Sequence, residues 1–423
     1  MRAATQIQPP QMQSPMKTIV TSLNRHRALS GLPPFFRMAC GIAERIHYGN
    51  LTFQLPDGRA LAFHGKEDLD AHGVIVVKDY AFARRAILSG DIGFFESFLA
   101  DQWDTPDLAA CLYIFARNAD AVQDAFKASP VIDFLNNLRH AFNRNTRSGS
   151  RRNIMAHYDL GNSFYEKWLD PTMTYSSALY PDGHSDLADA QINKYRNLAR
   201  AIDLKPGETV LEIGSGWGGF AEFAAREVGA NVVGITLSPS QYDFASERIF
   251  REGLNDKVEF RIQDYRDVDE QYDKIASIEM FEAVGMQYWQ TYFDKVRSAL
   301  KPGGAAGFQI ITIADRFFDN YVASTDFIQR YIFPGGMLPS PALLKTHIGE
   351  AGLKLNQVTE FGQDYARTLN EWHRHFLGAW DDIRAMGFDA RFKKLWRFYL
   401  AYCEAGFRAA TTNVRQVAAT RPA

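Results

Sequence analysis

The chain has 423 residues, of which 46% are hydrophobic and 23% are charged, a composition typical of a globular protein of two or three domains. Its formal net charge of −2 argues against general binding to nucleic acid. The three cysteines fit neither a disulfide framework nor a metal-binding spacing, so we predict a reducing, cytoplasmic location and no metal site. We find neither an apolar run near the ~20 residues that span a bilayer nor an apolar signal segment, so any membrane contact is expected to be peripheral.

The first part of the chain predicts a smaller N-terminal α+β domain over residues 34–143. Residues 1–33 contain several prolines and glutamines and are expected to be poorly ordered. Pro56-Asp57-Gly58 stands between two alternating runs and predicts a hairpin. Helical patterns precede and follow it, at residues 34–45, 79–88, 94–98 and 109–115. Residues 144–152 are basic and are read as an interdomain linker that could also contact anionic lipid headgroups.

Residues 153–423 alternate strand and helix patterns, which predicts an α/β domain with a mostly parallel, Rossmann-like sheet of seven strands. A helix over residues 186–202 precedes the first of these strands, and the C-terminal segment is aromatic and helical. Strands are predicted at residues 209–213, 232–236, 258–262, 274–278, 306–311 and 353–360.

The stretch VLEIGSGWGGF, from Val210 to Phe220, predicts a strand, a glycine turn and a helix that begins near Gly219. Glycine tolerates positive φ and lets a ligand approach the main chain, so this turn indicates a nucleotide-type pocket. The spacing also fits a dinucleotide site. However, Glu212 would repel a pyrophosphate, and the next strand ends in Thr-Leu-Ser rather than in the acidic residue that binds an NAD ribose. S-adenosylmethionine, which carries no phosphate, is therefore favoured over a dinucleotide.

Seven motifs in order resemble the cyclopropane-fatty-acyl-phospholipid synthases and the related mycolic-acid cyclopropane synthases, which belong to the S-adenosylmethionine-dependent methyltransferases. The motifs are HYDLGNSFYEKWLD (His157–Asp170), TYSSALY (Thr174–Tyr180), LEIGSGWGGFA, GITLSPSQ (Gly234–Gln241), SIEMFEAVG (Ser277–Gly285), FPGGMLPS (Phe333–Ser340) and YARTLNEW (Tyr365–Trp372). The resemblance covers residues 153–410 and implies a lipid-acting enzyme at the inner face of the membrane, with a homodimer as one option.

The resemblance implies a donor site for S-adenosylmethionine as co-substrate. Asp264 is added to it on physical grounds, as an acceptor for the adenine amino group. The donor site comprises Tyr175, Ser176, Val210, Leu211, Glu212, Ile213, Gly214, Ser215, Gly216, Trp217, Gly218, Thr236, Leu237, Ser238, Gln241, Asp264, Tyr265 and Arg266.

The implied reaction adds a methylene group to the cis double bond of an unsaturated phospholipid acyl chain and forms a cyclopropane ring. An isolated alkene accepts a methyl group only when it is held in line and dry, and the resulting carbocation favours aromatic surroundings. Aromatic candidates near the motifs are Tyr158, Phe281, Tyr288, Trp289, Phe333, Tyr365 and Phe407, and Gly335, Gly336 and Pro339 form a loop that could gate an apolar channel.

Ring closure requires a base, and the resemblance implies bound bicarbonate, held by Glu282, Tyr365 and backbone groups of Ser177 and Ile311. Two positions depart from the family pattern. Ser177 replaces a cysteine, and Gln309 replaces a histidine and cannot titrate near neutral pH. Glu279 is a weaker candidate than Glu282, and Cys403 matches a C-terminal cysteine of the family.

Three alternatives remain open. Gln309 favours a C-methyltransferase that leaves a methyl-branched or methylene acyl chain. A small-molecule N-methyltransferase would use the same scaffold, but the N-terminal domain and basic linker argue against it. A lipid-binding protein without catalysis would bind the donor and turn over no lipid.

Overall fold

The computed structural model describes residues 17–122, 160–181 and 186–423. The chain divides into a first unit over residues 1–129 and a second unit over residues 130–423. The predicted basic linker at 144–152, the predicted domain end at 143 and the start of the first motif, His157–Asp159, lie outside the described residues.

Among the described residues of the first unit, five strands form a sheet in the order β1-β3-β2-β4-β5. The strands are β1 Lys17–Ile19, β2 Tyr48–Gln54, β3 Ala60–His64, β4 Glu67–Val77 and β5 Trp103–Asp104. The helices are α1 Arg25–Ala28, α2 Pro34–Ala43, α3 Ala81–Leu99 and α4 Leu108–Arg117.

The predicted hairpin is confirmed as β2 and β3, which pair antiparallel around a turn with Gly58 at φ 84°. The expectation of poor order for residues 1–33 is wrong over the described residues 17–33. There β1 pairs in parallel with β3, and α1 follows. Strand β4 was not predicted because its first four residues, Glu67–Asp70, are exposed and carry no apolar alternation.

Among the described residues of the second unit, seven strands form a sheet in the order β11-β12-β10-β9-β6-β7-β8. The strands are β6 Thr209–Ile213, β7 Asn231–Thr236, β8 Val258–Ile262, β9 Tyr272–Ile278, β10 Leu300–Ile313, β11 Lys354–Glu360 and β12 Thr412–Thr420. The helices are α5 Asn162–Tyr165, α6 Leu187–Ala201, α7 Gly219–Phe223, α8 Pro239–Arg251, α9 Trp289–Ala299, α10 Asp315–Ala323, α11 Phe327–Tyr331, α12 Pro341–Glu350, α13 Gly362–Gly378, α14 Trp380–Ala385 and α15 Ala390–Arg408. Short 3₁₀ turns cover Tyr265–Asp267, Phe281–Ala283 and Met286–Tyr288, and a π-helical turn, Ala224–Val228, continues α7.

The predicted α/β fold is confirmed. Five strands, in the sheet order β10-β9-β6-β7-β8, pair in parallel with their neighbours. Strand β12 pairs antiparallel with both β10 and β11. The predicted strand positions hold, with β10 extended to residues 300–313 and irregular between Leu300 and Ala305. The C-terminal aromatic helices are confirmed as α13 to α15, but the chain then forms β12, the one strand of this sheet that the sequence analysis did not locate.

Strands β6, β9 and β10 are direct neighbours in the sheet, so their carboxyl ends lie side by side at one edge. Open α/β sheets bind ligands at this edge. Leu211, Ile275 and Phe308, one from each of these strands, are buried in a shared apolar core that fixes the strands in place. In the ranges that the structure describes, no helix is both long and apolar enough to cross a bilayer.

Candidate active site

The glycine turn follows β6 directly. Gly214, Gly216 and Gly218 have φ values of 85°, 52° and 82°, and α7 begins at Gly219 as predicted. A β-carbon on Gly214 would lie 2.8 Å from Cγ of Met280, whereas one on Gly216 would meet nothing within 4 Å. The turn therefore packs against the residues that follow β9 and leaves open space at Gly216.

Two buried polar atoms at this turn have no partner among the described residues. They are Oε2 of Glu212, which is 3% exposed, and Oγ of Ser215, which is 4% exposed. Burial raises the pKa of Glu212 well above its usual range, although Lys194 and Arg248 oppose the shift. Because buried polar atoms are seldom left unsatisfied, this pair indicates a polar ligand over the turn.

The segment after β7 is closed by its own hydrogen bonds. Thr236 Oγ1 donates to Gln241 Oε1 at 3.1 Å, and Ser238 caps α8 by accepting from the Gln241 backbone N–H at 3.4 Å. After β8, both oxygens of the Asp264 carboxylate accept from the Arg266 guanidinium, at 2.9 and 2.6 Å. If Asp264 accepts a hydrogen bond from the adenine amino group, as predicted, it must do so with oxygens that also accept from Arg266.

Glu279 stands at the centre of the predicted catalytic residues. Its Oε1 accepts from the Ser177 backbone N–H at 2.8 Å and from Gln309 Nε2 at 2.7 Å. Its Oε2 accepts from the Tyr365 hydroxyl at 2.7 Å. Burial raises the pKa of Glu279, and its hydrogen bonds and Lys194 act in the opposite direction. The structure thus brings Ser177, Gln309 and Tyr365 together as predicted, but around the carboxylate that the sequence analysis ranked second.

Glu282 lies one turn further along, where Ile311 N–H donates to its Oε1 at 2.5 Å. Its Oε2 is buried and has no hydrogen-bond partner in the described part of the chain. Burial, and then repulsion by Glu279, raise the pKa of Glu282 from 4.5 to about 8. Glu282 and Ile311 are therefore adjacent, as the sequence analysis expected, and the free oxygen of Glu282 is available to a ligand.

The raised pKa of Glu282 makes the stability of the fold depend on pH. The folded state holds the Glu282 proton more tightly than the unfolded state, so stability is lost as the pH rises from about 4.5 to about 8. Glu282→Gln carries no proton to lose, and Glu279, Tyr292 and Tyr321 face the position in both proteins. We expect the variant to gain up to about 3 kcal/mol over the wild type between about pH 5.5 and pH 8.5, measured by urea unfolding. A gain that does not grow with pH would contradict this assignment.

A polar layer that the sequence analysis missed supports the carboxylates from behind. Lys194 on α6 is fully buried and donates from Nζ to Ser176 Oγ at 2.6 Å, and burial lowers its pKa to about 7. Gln416 on β12 donates to Gln309 Oε1 and to the Lys194 carbonyl, both at 3.0 Å. Ser176, which the sequence predicts to contact S-adenosylmethionine, therefore accepts a hydrogen bond from Lys194.

Aromatic rings line the same region. The Tyr175 hydroxyl lies 2.7 Å from that of Tyr399, and the Tyr365 ring lies 4.4 Å from Phe407, centroid to centroid. Trp372 contacts both Tyr175 and Tyr365. Phe281 and Trp289 instead pack in the core, 1% and 0% exposed, and Tyr158 lies outside the described residues. Tyr365, Phe407 and Trp372 are also buried but form one cluster with Tyr175, and Tyr288 and Phe333 are half-buried.

Three further predicted features are the loop at Gly335, Cys403 and Trp217. The loop with Gly335 and Gly336 is fixed to the Glu282 turn, because Met337 N–H donates to the Glu282 carbonyl at 2.9 Å. Cys403 on α15 is a free thiol whose pKa is raised by burial, so it is held protonated and unreactive. Trp217, in the glycine turn, donates from Nε1 to Asn162 Oδ1 at 2.8 Å and so ties the turn to α5.

Comparisons with known proteins identify the family of the chain. The family model described as mycolic acid cyclopropane synthetase matches residues 145–417. The chain is 36% identical over 411 residues to the tuberculostearic acid methyltransferase of Mycobacterium tuberculosis, covering 93% of this chain and 94% of that protein. It is also 36% identical over 367 residues to the cyclopropane-fatty-acyl-phospholipid synthase of Escherichia coli K12, covering 85% and 90%.

Solved structures give the same result. A crystal structure of a mycolic acid cyclopropane synthase complexed with SAH and CTAB matches with a TM-score of 0.61 and 28% identity, over 64% of this chain and 98% of that one. A coclaurine N-methyltransferase matches with a TM-score of 0.62 at 17% identity, which supports the fold. The chain therefore belongs to the mycolic acid cyclopropane synthetase family of lipid-modifying S-adenosylmethionine-dependent methyltransferases.

Proposed function

We propose that the chain transfers a one-carbon unit from S-adenosylmethionine to the cis double bond of an unsaturated phospholipid acyl chain and closes it to a cyclopropane ring. The observation that carries the proposal is the convergence, at one sheet edge, of an open glycine turn and the paired carboxyl groups of Glu279 and Glu282. Two relatives are named for reactions of this type, a fatty-acid methyltransferase and a phospholipid cyclopropane synthase.

The donor pocket would be the turn after β6. Its unpartnered Glu212 Oε2 and Ser215 Oγ, together with the open space at Gly216, fit a ligand that has polar groups and no phosphate. Burial favours the neutral form of Glu212, and a cationic donor bound beside it would favour the ionised form, which a pyrophosphate would disfavour. Tyr175 and Trp217, both predicted to contact the donor, each contact Tyr165, which supports a shared role.

The acceptor is an uncharged alkene, and its reaction produces a carbocation. The Tyr365 ring lies 4.4 Å from Phe407 and 6.1 Å from Trp372, centroid to centroid, and a cation beside such rings gains roughly 0.5–2 kcal/mol per ring. Their burial also excludes water, which would otherwise trap the cation. Aromatic walls and a dry site are what a lipid acyl chain without polar handles requires.

A second candidate is a C-methyltransferase that leaves a methyl-branched or methylene acyl chain. Gln309 favours it because this residue cannot titrate where the resemblance implies a histidine. The similarity to a tuberculostearic acid methyltransferase, over nearly the whole chain, points in the same direction. The two candidates share donor, acceptor and methyl transfer. They differ in whether the carbocation closes a ring or is resolved by loss or shift of a hydrogen of the acyl chain.

Purified chain, S-adenosylmethionine and vesicles of dioleoyl phosphatidylglycerol provide the test. We expect S-adenosylhomocysteine to form together with acyl chains heavier by about 14 mass units, one CH₂. Vesicles of the saturated dipalmitoyl lipid are the control and should give neither product. Equal release of S-adenosylhomocysteine from both vesicle types would contradict the proposal.

Glu282→Gln is expected to abolish product in this assay, because the variant changes the residue whose Oε2 has no partner among the described residues. The stability measurement above serves as its folding control. The matched surface variant Glu247→Gln changes an exposed residue paired with Arg251 and should keep full activity. Full activity of Glu282→Gln would remove this residue from the site.

The proposal also includes peripheral contact with the inner face of the membrane, where the substrate lipid lies, and allows a homodimer. Co-sedimentation with the same vesicles and the mass in solution test these two points. Salt-dependent binding would indicate basic residues at the lipid surface, since screening weakens such contacts.

A further inference from the structure

The backbone at Glu279 is unusual. Its φ of 51° is in the left-handed region, which non-glycine residues seldom occupy and which costs roughly 1–3 kcal/mol. Glu279 N–H donates to the Gln309 carbonyl at 2.8 Å, so the strained residue is tied to the neighbouring strand β10. Strain of this kind persists where surrounding contacts enforce it, and it is concentrated at functional sites.

The side chain that this backbone orients is held by three donors. Two are on Oε1, from Ser177 N–H and Gln309 Nε2, and one is on Oε2, from the Tyr365 hydroxyl. A carboxylate has about four acceptor positions, so Oε2 keeps one that no described residue fills. The donors therefore fix the carboxylate and leave one lone pair free.

The two carboxylates differ in their support. Glu279 receives three hydrogen bonds, which favour its ionised form, whereas Glu282 receives one, from Ile311 N–H. Lys194 adds a further attraction to Glu279, and the repulsion between the two carboxylates raises the pKa of Glu282. Adjacent acids whose surroundings differ in this way divide into a base and a protonated partner.

The surroundings of Glu279 also connect it to both substrates. Met280, the next residue, contacts the glycine turn at Gly214, where the donor is proposed to bind. Tyr365, which bonds to Glu279, stacks on Phe407 in the aromatic wall proposed for the acyl chain. Glu279 and Met280 keep some exposed surface, while Phe281 behind them is buried.

We propose that the carboxylate of Glu279 is the base that takes the proton released from the alkylated acyl chain. This inference rests on the proposed function. In the first step the alkene π pair forms a bond to the donor methyl carbon, and the carbon–sulfur pair leaves with S-adenosylhomocysteine. A carbocation remains on the other alkene carbon. In the second step Glu279 removes a proton from the added methyl group, the C–H pair closes the ring, and the carboxylate becomes a neutral acid.

This assignment changes the expected role of bicarbonate. Ser177 N–H, Gln309 and Tyr365, which occupy the positions that the resemblance assigns to the bicarbonate site, donate to Glu279 instead. The Glu279 carboxylate therefore occupies the position in which bicarbonate was expected. The wild type should therefore work at the same rate in buffer stripped of carbon dioxide.

The test combines two variants in the vesicle assay. Glu279→Gln keeps the size of the side chain but is not a base, so product should fall at least about 100-fold, while affinity for S-adenosylhomocysteine stays within about threefold. Glu279→Gly removes the side chain and suits the positive φ. Bicarbonate or formate can bind the three freed hydrogen-bond donors, so either anion should raise the rate of Glu279→Gly at least about tenfold over its rate without the anion.

The outcomes separate the two proposals. Wild type without product on unsaturated vesicles overturns the proposed function and this inference with it. Wild type that is active but requires bicarbonate, an active Glu279→Gln, or a Glu279→Gly that neither anion restores overturns the inference and leaves the proposed function standing. Glu247→Gln, with its exposed side chain, is the control for removal of an acidic group.

Discussion

Gly216→Val is expected to weaken binding of S-adenosylmethionine at least about 100-fold, which is about 2.7 kcal/mol. The physical reason is space. A β-carbon at Gly216 would meet no protein atom within 4 Å, so the added side chain enters the open volume over the turn. There it would occupy the position proposed for the donor, close to the unpartnered Oγ of Ser215. Isothermal titration with S-adenosylmethionine and with S-adenosylhomocysteine measures the loss.

Gly253→Val is the matched control for backbone strain. Gly253 also has positive φ, 65°, and also has open space around its missing side chain, but it lies in the turn after α8. Both variants should lose a similar, small amount of stability, about 1–2 kcal/mol, from the left-handed backbone. Donor binding should fall only in Gly216→Val. Equal affinity in the two variants would place the donor elsewhere.

Gln309→Glu is expected to destabilise the fold by about 3 kcal/mol or more. Gln309 is fully buried, and its Nε2 donates both to the Ser177 carbonyl, at 3.2 Å, and to Glu279 Oε1. Glutamate has the same shape but turns this donor into an acceptor that faces two other acceptors. A second buried carboxylate beside Glu279 adds repulsion between like charges. Urea unfolding gives the loss, and product formation should disappear with it.

Gln357→Glu is the control for the same chemical change on the same sheet. Gln357 lies on β11, where it is exposed, and the substitution there should change stability by less than about 0.5 kcal/mol. A similarly small change at position 309 would mean that the hydrogen bonds to Glu279 contribute little.

Much of the second unit could be predicted because its signals are local. Strand β6, the glycine turn and the start of α7 follow from apolar runs and glycine, and α6 lies within one residue of its predicted ends, at its Asp186 cap. Strand β12 carried no such signal. It lies between β10 and β11, both faces are covered, and it buries a polar residue, Gln416, so neither alternation nor an apolar run marks it.

The ranking of the two carboxylates could not be derived from sequence. Glu279 and Glu282 are three residues apart, and the direction of each side chain depends on the positive φ at Glu279 and on the register between β9 and β10. Lys194 was missed for a related reason. Nothing in the sequence of α6 distinguishes Lys194 from an exposed lysine. Its role depends on Ser176, Glu212 and Glu279, which lie near it in the fold but on other elements. Contacts between distant segments decide both cases.

Transfer of a methyl carbon to an acyl double bond is tested most directly in a host without a cyclopropanating enzyme, fed methionine with a trideuterated methyl group. Expression of the chain should yield fatty acids heavier than their unsaturated precursors by about 16 mass units, the CD₂ of a ring, which NMR distinguishes from a methylene group of the same mass. A gain of about 17 mass units would instead retain all three deuterium atoms and indicate a methyl-branched product that keeps a double bond. Fatty acids of unchanged mass, from cells that contain folded protein able to bind the donor, would contradict the proposed activity.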